Sequence, residues 1–61
     1  MHPMDRQEYL ALVALLEDLL TSTRSALQEE AEYAKDDLRK MEGRLMKAIE
    51  AYREKADAHR T

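Results

Sequence analysis

An apolar residue returns every third or fourth position through Tyr9, Val13, Leu16 and Leu20, then Leu27, Ala31, Ala34, Leu38, Met41, Leu45, Ala48 and Tyr52. That spacing is the period of an α-helix and not the alternation of a half-buried strand. Thr23 and Arg24 form its one polar gap. One Gly, one Pro, no Phe and no Trp, against nine Leu and nine Ala, leave almost nothing to interrupt a helix and little to build a sheet. The fold class expected is therefore all-α.

A chain of 61 residues is short for a core of its own, and the usual supports are disulfides, a structural metal or oligomerisation. With no cysteine, the first support is absent and so is the commonest form of the second. Self-association is the expectation.

Local signals suggest where helices begin. Asp5 is placed to cap a helix, Glu8 stands three residues on to complete a capping box, and Met4 with Tyr9 is spaced for a hydrophobic staple. The first apolar face, Tyr9, Leu12, Val13, Leu16, Leu19 and Leu20, is widened by Leu10 and Leu15, so it calls for more than one neighbour. In Thr21-Ser22-Thr23-Arg24-Ser25 helix propensity falls over several consecutive residues, because hydroxyls compete for local backbone. The pattern predicts a short helix over 6–20, a turn over 21–24 and a long helix over 25–58. Ser25 or a neighbouring hydroxyl would cap the second helix, with Glu29 and Glu30 near its positive end. One continuous helix in a coiled coil is the alternative, since no Gly, Pro or Asn enforces the turn.

The second helix reads as heptads, with Ala31, Leu38, Leu45 and Tyr52 at one seam position and Leu27, Ala34, Met41 and Ala48 at the other. Met46, Ile49 and Ala56 lie beside that seam and broaden it, which suits a bundle better than a two-stranded zipper. Tyr33 falls off the seam and is expected to pack partly against a neighbour. Gly43 lies opposite the seam, with a hinge or a third chain as possible reasons for it.

Charge is divided along the chain. Residues 1–34 carry two Arg against seven acids, and residues 35–61 carry eight Lys or Arg against six acids. Antiparallel pairing would set acidic first halves against basic second halves. The expected assembly is a helical hairpin forming an antiparallel dimeric bundle or coiled coil. Its oligomer interface is Tyr9, Leu12, Val13, Leu16, Leu19, Leu20, Leu27, Ala31, Ala34, Leu38, Met41, Leu45, Ala48, Ile49 and Tyr52. Asp36 with Lys40, Glu32 with Lys35 and Glu50 with Arg53 are expected as local ion pairs.

Chemistry has few footholds. His2 and His59 have no ligand-type residue at a spacing that shares a helix face, and the pairs Glu29-Glu30 and Asp36-Asp37 diverge on a helix. No Gly-rich loop or nucleophile elbow occurs. The chain is expected to be no enzyme and to carry no metal or cofactor. Its partners would be a second copy of itself and, beyond that, another helical protein, in the manner of an adaptor, small chaperone or assembly factor. A purely structural self-association segment is the alternative. A nucleic-acid-binding bundle using Arg39, Lys40, Arg44 and Lys47 ranks below both, because the acidic chain lacks a continuous basic stripe. The apolar run from Tyr9 to Leu16 is too short to span a bilayer, no basic leader precedes it, and the lack of cysteine fits a cytoplasmic setting. The Met start and the capped first helix suit a complete small protein.

Overall fold

The computed structural model describes residues 4–58, so both histidines lie outside the described residues. Helix α1 spans Arg6–Glu29, a single 3-10 turn spans Glu32–Ala34, and helix α2 spans Lys35–Ala58. No strand occurs among the described residues. The two helices, 24 residues each, pack against one another as a hairpin.

The capping box forms as expected. The Glu8 amide donates to Asp5 Oδ1 at 2.8 Å, and the Asp5 amide donates to Glu8 Oε1 at 3.3 Å. Two of the amides that a helix start leaves without a partner are thereby satisfied.

The hairpin is present, but its turn lies at 30–34 and not at 21–24, and its helices are equal instead of short and long. The hydroxyl run stays helical because its side chains bond within the helix. Thr21 donates to the Glu17 carbonyl at 3.1 Å and Thr23 to the Leu19 carbonyl at 2.8 Å. A hydroxyl that reaches the carbonyl four residues back is satisfied inside the helix, at a slight cost that does not open it here. The turn that does form needs no special residue. Glu30 (φ −81°, ψ 155°) and Ala31 (φ −67°, ψ 152°) are extended, and among the described residues none has positive φ. Such backbone is open to any amino acid, which is why neither Gly nor Asn marks it.

Charge acts on the two helix ends in opposite directions. Asp36 and Asp37 occupy the first turn of α2, where the helix dipole favours acids. Glu29 and Glu30, expected at that positive end, instead lie at the negative end of α1, where no basic residue stands in the last turn. Equal helix lengths outweigh that cost. A turn at 21–24 would leave about half of the second helix uncovered, whereas two 24-residue helices cover each other along their whole length.

Proline substitutions separate the two turn positions. Ala31→Pro should be neutral or stabilising by up to about 1 kcal/mol, since Ala31 already has proline's φ and the preceding Glu30 is extended. Ser22→Pro should cost about 3 kcal/mol or more by breaking α1. Urea denaturation followed by circular dichroism measures both, and the reverse order would move the turn back to 21–24. Gly43 has nothing within 4 Å of where a Cβ would stand, so neither a hinge nor a close contact within the chain requires it. Gly43→Ala should therefore stabilise by about 1 kcal/mol in the same assay.

Candidate interaction surface

The seam between α1 and α2 absorbs only part of the apolar sequence. Val13 (3% exposed), Ile49 and Ala56 (1% exposed) are its buried apolar residues, joined by Thr23. Tyr9 and Tyr52 stack across it with ring centroids 6.1 Å apart and planes 28° apart. Leu12, Leu16, Leu20, Leu27, Ala34, Leu38, Leu45 and Ala48 are half-buried. Of the other residues expected at the oligomer interface, Ala31 leaves the seam altogether, because it sits exposed in the connection. Leu19 and Met41 stay about half exposed, at 53% and 48%.

Because successive helical residues turn by about 100°, the hairpin presents two different broad faces. On one, Glu17, Arg24, Glu42 and Arg53 lie just to one side of the seam. Arg24 Nε donates to Glu42 Oε2 at 2.9 Å and Arg53 to Glu17 Oε2 at 2.9 Å, so two ion pairs bridge the helices there. Arg24 also reaches Met46 Sδ at 3.7 Å. A shallow groove of about 420 Å³ runs along this face, lined by Leu20, Met46 and Ile49 together with charged residues that include Glu17, Arg24 and Arg53. Arg53 thus pairs with α1 and not with Glu50, the partner expected from the sequence, while Lys35 meets Glu32 at 3.0 Å as expected.

The opposite face carries none of these bridges. Its α1 side presents Leu12, Leu15, Leu19 and Ala26, and its α2 side presents Met41, Ala48, Ala51 and Tyr52. Leu15, with 61% of its surface open, and Leu19 form an apolar row over which no layer lies among the described residues. Leu15 extended the predicted face without being counted in its interface. Its position one turn from Leu12 and Leu19 was the available signal. Ala56, the most buried residue, was readable only as a flank of the seam, since alanine's small surface gives a weak hydrophobic signal.

The tip differs again. Tyr33 is 91% exposed and does not pack as expected, because the 3-10 turn projects it beyond both helices. Beside it, Glu32 accepts from Lys35 at 3.0 Å and from Arg39 at 3.4 Å, and Arg39 also approaches Asp36 at 3.7 Å. Among the described residues, no three His, Asp or Glu side chains converge as a metal site would need, and no helix is long and apolar enough to cross a membrane. No family model, curated protein or solved structure matches the chain.

The hydrogen bond from Lys35, followed by the Lys35 charge and then Arg39, holds the Glu32 carboxyl below its ordinary value. A carboxylate lowered in the folded state contributes stability above its unfolded value, and that contribution is lost as pH falls through the folded value. Glu32→Gln should therefore lower Tm slightly at neutral pH and flatten the acid limb of the Tm against pH profile. An unchanged acid limb would mean that the tip cluster contributes nothing.

Proposed function

We propose that the protein is a non-enzymatic protein–protein interaction module that works as a small helical oligomer, in the manner of an adaptor, small chaperone or assembly factor. The observation that carries this reading is the open apolar face of a chain with almost no interior. Apart from Thr23, the residues buried along the two 24-residue helices are Val13, Ile49 and Ala56, while Leu15, Leu19 and Met41 remain about half exposed or more. A contiguous exposed apolar row on a small protein is characteristic of an association surface.

The dimensions support the same reading. A radius of gyration of 14.2 Å exceeds the roughly 10–11 Å of a compact chain of this length. The exposed area of 5067 Å² exceeds by about 1,000 Å² what a compact 7.1 kDa monomer presents. That excess is close to the area one subunit contributes to an interface of standard size, about 800 Å². A cytoplasmic setting belongs to this reading, for a chain with no cysteine to oxidise.

Mass and thermal stability test it together. Sedimentation should give a multiple of the chain mass, and Tm should rise with protein concentration, because association stabilises the folded state by mass action. Leu15→Gln combined with Leu19→Gln should weaken association about ten- to a hundredfold while the isolated hairpin keeps its helicity. A monomer mass together with a Tm independent of concentration would overturn the reading.

A further inference from the structure

The open face is bordered by charges of opposite sign on its two sides. Along the outer edge of α1 stand Asp18 and Glu29, both exposed, while Glu8 falls in line with Leu12, Leu15 and Leu19. Exposed on α2, Lys40 and Lys47 stand at the outer edge with Asp36 and Glu54 beside them, and Arg44 and Lys55 fall in line with Ala48 and Ala51. Between these edges, the bulky Leu12, Leu15 and Leu19 rise from α1, whereas α2 offers the small side chains of Ala48 and Ala51, flanked by Met41 and Tyr52. The face is therefore ridged and acidic on one side, hollow and basic on the other. Such a surface is complementary to itself after a half-turn.

Resting on the self-association read above, we propose that the occupant of this face is a second copy of the chain, docked with both turns at the same end. The Leu12–Leu15–Leu19 row of each α1 then lies in the Ala48–Ala51 trough of the partner's α2. A two-fold axis along the hairpin keeps levels matched, and the ion pairs Glu17–Arg53 and Arg24–Glu42 fix which residues of the two helices share a level. On that register Glu29 stands level with the partner's Lys40 and Asp18 near the partner's Lys47. Every neighbouring helix pair is antiparallel, and large side chains meet small ones as helix packing at close distance requires. Placing the turns at opposite ends would instead lay α1 on α1 and α2 on α2. Leucines would then face leucines, and Lys47, near the middle of α2, would face its own copy, a juxtaposition that disfavours docking. The same-end arrangement does bring two acidic tips together, a cost reduced by Lys35 and Arg39 at Glu32. It also gives the basic row of α2 a role in assembly.

Charge reversal and distance measurement test the arrangement on the full chain. Lys47→Glu and Asp18→Lys should each weaken the dimer about three- to tenfold, and the two together should recover most of the loss. Opposite ends would make Lys47→Glu relieve repulsion and tighten the dimer. Nitroxide labels on Tyr33→Cys should lie within about 30 Å of each other between the two chains, against about 36 Å or more, the length of a 24-residue helix, when the turns point apart. A dimer with the longer distance, or one tightened by Lys47→Glu, overturns the arrangement and leaves the interaction-module reading standing. A monomer at every concentration overturns both and leaves the face to a different protein.

Discussion

Everything in this structure depends on the limit that two helices set on burial. A helix pair shares one seam, and a seam covers only a stripe of each member, so a chain whose apolar arc is wider than that stripe leaves the rest in water. Here the seam takes Val13, Ile49 and Ala56, with Tyr9 stacked on Tyr52 at one end. The arc of α1 continues past it through Leu12, Leu19 and Leu15. Capping at Asp5, the ion pairs across the seam and the cluster at Glu32 are smaller effects: they set where the helices start and how they are aligned. None of them supplies a third layer.

The two faces of the hairpin differ in how their side chains are arranged. On one, Arg24 and Arg53 reach across to acids of the facing helix, and Arg24 also touches the Met46 sulfur. Exposed pairs of this kind contribute little stability, but they fix the side on which the hairpin is finished. On the other, bulky residues of α1 stand beside small residues of α2. This segregation of bridging charges to one side is what turns a wide hydrophobic arc into a directional surface, and it underlies the reading of the chain as an interaction module.

The hydroxyl run and the true turn show how local composition can mislead. Thr21 and Thr23 look like helix interrupters, but each finds a carbonyl four residues back, and Thr23 even becomes buried. Glu30 and Ala31 look unremarkable in the sequence, but they carry the chain round with ordinary extended backbone. Residue types that avoid helices mark a possible break, whereas a break built from commonplace φ and ψ leaves no mark. The acids Asp36 and Asp37 at the start of α2 are a local sign of the helix start that does form there.

The sequence by itself determined the all-α class, the capped start at Asp5 and the set of apolar positions from which the seam is drawn, because capping chemistry and the 3.6-residue period are local properties. It also left the first apolar face too wide for one neighbour, which a two-helix fold cannot resolve. Only the tertiary structure decided the position of the turn, since that depends on matching two helices in length and not on any residue within 30–34. It likewise decided that Ala31 leaves the seam, that Ala56 enters it, and that Tyr33 stands clear at the tip. Above all, it decided which side of the hairpin the bridging ion pairs occupy. Arg24 and Glu42 are 18 residues apart, Glu17 and Arg53 are 36 apart, and only the antiparallel register brings each pair within 2.9 Å.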